Sequence, residues 1–257
     1  ARSFVTTDDV ASAPADKINE RRGIAGNFFV FKVAGAAADL GLSLEDVETA
    51  ARLANDATRT MGVALAACSM PQTGKANFNI PKGEMEIGMG IHGEPGIASI
   101  PAESANAVTD RLMQPILVEL ALNEGDKVAV LVNGLGSTTL LELYLLHRRV
   151  AKVLDAQKVA IHHSWVGEYC TSLEMAGASV SLMKLDKDLQ RWLDHPCDTP
   201  ALRVGTGQNT VKQPVRHTSR QHAHIKEPKK RDKSGLDRSG QITPDVSRDM
   251  MAASAEA

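Results

Sequence analysis

The sequence predicts an α/β layered domain with mixed strand directions, followed by a basic tail. Three observations carry that prediction. Up to about Gly205, apolar runs of strand length alternate with longer segments of helical period. The segment KVAVLVNG, residues 127–134, is apolar almost without interruption, as a strand covered on both faces must be. From Thr206 onward apolar residues nearly vanish and Lys and Arg outnumber Asp and Glu.

The elements follow in order. NFFVFKVAGAAADLG, 27–41, predicts a helix whose packing face is Phe28, Phe31, Gly35 and Ala38, with Gly41 near its end. SLEDVETAARLANDATRT, 43–60, predicts a second helix. Ser43 is its N-cap, Asp46 three residues on completes a pair resembling a capping box, and Val47, Ala50, Ala51, Ala54 and Ala57 form an apolar stripe. MGVALAAC, 61–68, and EMEIGMGI, 84–91, read as strands. ESANAVTDRLMQPILVEL, 103–120, reads as a helix that Pro115 should kink or break. LLELYLLHRRVAKVLDAQ, 140–157, is an amphipathic helix. VAIHHSWVG and ASVSLMKLD are further strands, and KDLQRWLDH is a short terminal helix. No internal repeat is present.

Composition excludes several classes. With 257 residues, 43% hydrophobic and 23% charged, the chain is ordinary globular material for one large domain or two small ones. A net charge of -2 points away from nucleic acid as a partner. No apolar run approaches the roughly 18 residues of a membrane span, and the N-terminus has no signal-peptide pattern. Cys68, Cys170 and Cys197 show no pairing or metal spacing, which predicts reduced thiols in a cytoplasmic protein. ARSFVTTDDV lacks an initiator Met, so the chain is expected to be processed or to begin partway through a longer protein. The tail from Thr206 to Gly240 is too polar to offset its ordering entropy and reads as a disordered linker, the rival reading being a nucleic-acid arm. ITPDVSRDMMAASAEA then looks like a helix start, with Thr243 as cap and Pro244 at the first helical position.

Two stretches could carry chemistry. In EMEIGMGIHGEPG, 84–96, a strand would place Met85, Ile87, Met89 and Ile91 on one face. The other face, bare at Gly88 and Gly90, would form an open track toward His92, which sits at the strand's end ahead of a Gly-Glu-Pro-Gly turn. Neutral imidazole is a usable nucleophile or base near neutral pH; the rival reading is a turn histidine satisfied by hydrogen bonds. In VLVNGLGSTTLLELY, 130–144, a strand runs through a glycine turn into a helix that Ser137, Thr138 or Thr139 could cap. Its free N–H groups could hold an anion, or the turn is simply structural; neither the Walker pattern nor the dinucleotide fingerprint is present. GEYCTSLEMAG, 167–177, either lines a site or forms a turn and short helix. His162 and His163 are adjacent in a strand, so they should face opposite ways and chelate together poorly. His217, His222 and His224 lie in the tail, as adventitious metal ligands or as solvated side chains.

Four segments, RRGIAGNFFVFKVAGAAADLGLSLEDV, EMEIGMGIHGEPG, VLVNGLGSTTLLELY and GEYCTSLEMAGASVSLMKLD, together resemble the substrate-binding subunit of dihydroxyacetone kinases, over about Asp8 to Val204. The resemblance implies the layered mixed-sheet fold of that family and a covalent role for His92: it adds to the ketone carbonyl of dihydroxyacetone or a related short ketose such as erythrulose and holds it as a hemiaminal. It also implies a homodimer, with ATP and Mg2+ bound by a helical nucleotide-binding domain or subunit missing from this chain. The family's upstream Gly/Ser-rich loop with a further histidine is not found, and Asp8 and Asp9 look like the end of that missing lobe rather than its catalytic aspartate, so no general base is assigned. On this reading residues 1–60 end an incomplete first lobe, 61–205 form the α/β lobe carrying His92, 206–240 are the linker, and 241–257 begin a truncated nucleotide-binding domain. Alternatives within the family are a donor subunit charged from phosphoenolpyruvate, a ketose-binding regulatory module without phosphotransfer, and an inactive kinase fragment.

Overall fold

The computed structural model describes residues 2–205, which fall within one compact unit, Ala1–Gln208; the predicted linker and the helix start beyond it lie outside the described residues. A six-stranded mixed sheet forms the middle layer. Its strands are β1 (Thr58–Ala66), β2 (Glu84–Ile87), β3 (Ala98–Pro101), β4 (Lys127–Gly134), β5 (Ala160–Gly167) and β6 (Ala176–Leu185), in the order β3-β2-β1-β6-β4-β5. All neighbours run antiparallel except β4 and β5, which are parallel and joined by a helical crossover.

Helices cover both faces. α3 (Ala105–Leu120) and α4 (Leu140–Ala156) lay Leu112, Ile116, Leu143 and Val150 over Val128, Val130, Val132 and Val180. On the other face α1 (Asn27–Asp39), α2 (Leu44–Asp56) and α5 (Lys187–Asp194) pack Phe29, Val33, Ala50, Ala54 and Leu193 over Ala129, Leu131 and Met183. This explains why β4 is apolar throughout: every residue from Val128 to Gly134 is buried. Among the described residues no helix is long and apolar enough to cross a membrane. The three cysteines are free thiols.

Several local expectations are met and four are corrected. Ser43 caps α2, its hydroxyl accepting from Asp46 N–H at 3.2 Å, and in its apolar stripe Ala50, Ala51 and Ala54 are buried while Val47 and Ala57 are half-buried. α2 stops at Asp56, however, and β1 begins at Thr58, where the β-branched Thr58 and Thr60 are wholly buried in the sheet. α1 packs with a different face from the one expected: Phe29, Val30, Val33, Ala36 and Ala37 are buried, whereas Phe31 is 74% exposed. The helix is apolar nearly all round, so its period offers more than one stripe. α3 runs unbroken through Pro115, because Leu112, Met113 and Ile116 around it are all buried against the sheet. β2 ends at Ile87, since Gly88 takes φ +75°, outside the extended region.

The N-terminal segment is stitched into this frame. Thr60 N–H donates to Asp8 O at 2.8 Å and Val10 N–H to Thr60 O at 3.0 Å. The buried Asp8 carboxylate accepts from Ile24 N–H at 3.1 Å and Gly26 N–H at 2.8 Å, at the start of α1, where an anion suits the helix dipole. Burial nevertheless raises its pKa, against the hydrogen bonds from Thr60, Ile24 and Gly26.

Candidate functional site

His92 lies in a turn five residues beyond the end of β2, on a loop built by glycines. The face expected to form a bare track is not bare. A Cβ on Gly90 would meet Glu94 Oε2 at 2.2 Å and Arg22 Nη1 at 2.7 Å, so those two side chains occupy the space the glycine leaves. A Cβ on Gly88 would meet the Ala11 methyl at 2.5 Å. The glycines therefore admit the protein's own parts, and the loop they allow carries the imidazole outward. Beneath it Met89 is buried with Cys68, Leu135 and Met175, and Ile91 and Phe78 pack against them.

The His92 ring is 81% exposed and held from one side only. Its Nδ1 faces Glu94 Oε1 at 3.2 Å, and its main-chain N–H donates to Glu94 Oε2 at 3.0 Å. The loop closes on itself through Gly90 N–H to Glu94 O at 3.0 Å. Burial disfavours the Glu94 carboxylate, but the N–H groups of Glu94 and His92 and the His92 ring outweigh it, and the acid sits below the ordinary glutamate range. In the neutral imidazole, the ionised Glu94 favours the tautomer with the proton on Nδ1 and the lone pair on Nε2. Among the described residues no hydrogen-bond partner reaches Nε2. The arrangement presents a nucleophilic nitrogen of set tautomer to solvent.

Arg22 braces this loop from a distant part of the chain. Its guanidinium pairs with Asp9 Oδ2 at 2.7 Å and donates to Gly88 O at 3.2 Å. Asp9 is almost wholly buried, which raises its pKa, while Arg22 pulls it back down. Glu94 and Arg22 were not singled out from the sequence. Glu94 stands two residues past His92, within reach of its ring; Arg22 has no local signal, because it approaches from 70 positions away.

The second candidate stretch is closed. Thr139 and Glu142 form a reciprocal capping box at the start of α4. Thr138 Oγ1 exchanges hydrogen bonds with Gly177 O and N at 2.7 and 2.9 Å, and Ser137 Oγ donates to Glu174 O. A Cβ on Gly134 would lie 2.0 Å from Glu168 Oε1, so a carboxylate already fills the turn, and Gly136 N–H donates to it. These residues do not fit a phosphate or a nucleotide. The neighbouring 167–177 stretch forms turns without a helix, its backbone held by Asn133, which accepts from Tyr169 and Cys170 N–H at 2.9 and 2.8 Å.

His162 and His163 correct the expectation of opposed rings. A bulge between β4 and β5 pairs Val128 with Ile161 but Ala129 with His163, leaving His162 as the extra residue. Both rings turn the same way, with Nε2 atoms 2.8 and 2.7 Å from Asp194 Oδ1. A separate cavity of about 690 Å3 lies between α1 and residues 195–202, lined by Phe28, Phe31, Lys32, Tyr169 and Cys197, and contains neither His92 nor Glu94.

Known proteins share this arrangement of sequence and fold. The Dak1 domain matches residues 1–201. The dihydroxyacetone-binding subunit DhaK of PTS-dependent dihydroxyacetone kinase 2 from Listeria innocua serovar 6a is 46% identical over 202 residues, covering 79% of this chain and 60% of that protein. L-erythrulose kinase of Pectobacterium atrosepticum is 40% identical over 207 residues, covering 79% of this chain and 35% of its own. The dihydroxyacetone kinase of C. freundii in its native form superposes with a TM-score of 0.70 at 28% identity, over 90% of this chain and 40% of that one. The same enzyme has also been solved in complex with AMP-PNP and Mg2+. The chain thus spans less than two thirds of the length of each.

Proposed function

The chain belongs to the Dak1 domain family, the substrate-binding domains of dihydroxyacetone kinases, and on that premise we propose that it is the ketose-holding part of a larger kinase, with His92 as the residue that bonds the substrate. The observation that carries this reading is the one-sided support of His92: Nδ1 faces Glu94 at 3.2 Å while the ring is 81% exposed. The substrate is dihydroxyacetone or a short ketose such as erythrulose, as the names of the relatives suggest.

Nε2 attacks the ketone carbon and its lone pair becomes the new C–N bond. The C=O π pair moves onto oxygen, which takes a proton from water. The Nδ1 proton passes by way of Glu94 to the hydroxide left by that water, so the adduct is neutral, Glu94 is again ionised and the water is restored. Tethering fixes the terminal hydroxyl for a later phosphoryl transfer, which turns an encounter into a positioned reaction. It also selects ketoses over glycerol, which has no carbonyl carbon to attack.

The donor system, ATP with Mg2+, is assigned to a helical domain or subunit outside this chain. AMP-PNP and Mg2+ bound to the C. freundii relative support that assignment; the Listeria relative, described as PTS-dependent, supports a phosphoenolpyruvate-charged donor instead. The parent is proposed to act in the cytoplasm as a homodimer.

Dihydroxyacetone labelled with 13C at the carbonyl tests the central step. Its ketone resonance should give way to an sp3 hemiaminal signal on the wild-type chain and not on His92→Ala; an equal signal on the variant overturns the assignment. The chain alone with ATP and Mg2+ should not phosphorylate the ketose. In the parent protein, binding without transfer from either ATP with Mg2+ or a phosphoenolpyruvate-charged donor would favour the regulatory reading.

A further inference from the structure

We propose that His162, His163 and Asp194 form a binding site for one divalent transition-metal ion of the zinc class, remote from the ketose histidine. The site is a product of the β-bulge. In a regular strand the two adjacent rings would project to opposite faces; the extra residue at His162 turns both to one side. Their ring centroids stand 4.7 Å apart at 77°. α5 then delivers Asp194 at its last turn, with Oδ1 at 2.8 and 2.7 Å from the two Nε2 atoms. All three donor atoms lie within 4.8 Å of one another.

The donor chemistry is that of a borderline-soft cation. Two imidazole nitrogens and one carboxylate oxygen suit Zn2+, Co2+ or Ni2+ rather than Mg2+ or Ca2+, which prefer all-oxygen shells. Around a tetrahedral zinc, with bonds of about 2.0–2.1 Å, neighbouring donors stand roughly 3.3 Å apart. The two nitrogen–oxygen separations need to open by about half an ångström, within rotamer adjustment of three side chains. The side chains are 24%, 36% and 48% exposed, so an ion can enter and water can take the remaining position.

Both supports of the site are fixed. β5 is paired along its length to β4, and the Trp165 ring lies 5.2 Å from that of His163. On the helix side the Lys32 ammonium donates to the carbonyl oxygens of Trp192 and His195, which flank Asp194. A bound ion would clip an edge strand to the helix that follows β6. Three strands separate β5 from β2, which at about 4.8 Å per strand puts the clip roughly 19 Å across the sheet from the His92 loop.

The test is a titration of metal-stripped full-length chain with Co2+ alone, followed by displacement with Zn2+. One equivalent should give the visible absorption of a low-coordinate Co2+ site and raise Tm. Asp194→Asn and the double variant His162→Asn/His163→Asn should weaken binding by at least about tenfold, with far-UV circular dichroism unchanged. The triple variant His217→Ala/His222→Ala/His224→Ala should bind as wild type, and the 13C adduct on His92 should form equally in all variants. Wild-type binding in Asp194→Asn, or a signal lost only in the tail variant, overturns the site. If the double variant loses its fold, Asp194→Asn decides.

Discussion

Two glycine turns lead out of strands in this molecule, at 88–96 and at 134–139, and they are put to opposite uses. In the second, the hydroxyls and the inserted carboxylate find partners inside the protein: Glu168 fills the space over Gly134, Ser137 donates to Glu174 O, Thr138 zips to Gly177, and Thr139 and Glu142 satisfy each other. In the first, the Ala11 methyl fills the space over Gly88 and Glu94 with Arg22 the space over Gly90, yet the ring at the apex is satisfied on one nitrogen only. Glycine content does not distinguish them. What distinguishes them is whether the hydrogen-bonding capacity of the turn is used up internally.

That contrast can be attacked by substitution, and the largest effect belongs at the closed turn. Gly136 sits at φ +126°, and a Cβ there would be 1.8 Å from Leu173 O, a backbone atom that cannot swing aside. Gly136→Ala should cost about 3 kcal/mol or more of unfolding free energy in urea melts. Next is Arg22→Ala, which strands the buried Asp9 carboxylate and releases Gly88 O. It should destabilise by about 2–3 kcal/mol and weaken ketose capture together, because this brace serves the open loop. Thr139→Ala removes half a capping box and should cost about 1 kcal/mol with no change in ketose adduct. Any loss of adduct in Thr139→Ala would mean the closed turn is not closed.

The smallest effect on stability belongs to Glu94→Gln, at a site 39% exposed, yet this change should lower ketose affinity about tenfold by releasing the His92 tautomer. Its pH signature has a definite sign. The folded-state acid is weaker in its hold on protons than the unfolded one, so its stabilising contribution is present above the ordinary glutamate pKa. That contribution fades as pH falls through the depressed folded value. Wild type minus variant stability, followed from pH 7 down by denaturant melts, should be flat and then decline; a difference that grows on acidification would refute the role given to Glu94.

Apart from the edge strand β3, which was not expected, the order of the main helices and strands could be read from the chain because local signals agree there: Ser43 with Asp46, the alanine stripe of α2, and the unbroken apolar run of β4 each admit one structure. The reading failed where one local pattern allows two outcomes. α1 is apolar round its circumference, so the choice between Phe31 and Phe29 depends on α2 and α5, which sequence period cannot see. The bulge that aligns His162 with His163 is decided by the ladder with β4 rather than by either residue. At the candidate site, the position of His92 in a glycine-built loop beyond a strand was legible from its motif. Arg22 was not, because its role is set by where Asp9 and Gly88 meet in space.

The strand order has a consequence for how this chain is made. β6, Ala176–Leu185, is the seam between β3-β2-β1 and β4-β5, and it is the last strand of the sheet to leave a ribosome. Until it emerges, the nascent chain holds two part-sheets whose inner edges, β1 and β4, have no ladder between them. Both are apolar and both are open for strand addition. A pause in translation shortly before residue 176 would therefore prolong the most association-prone stage of synthesis, whereas a pause well after Leu185 would fall on a sheet already zipped.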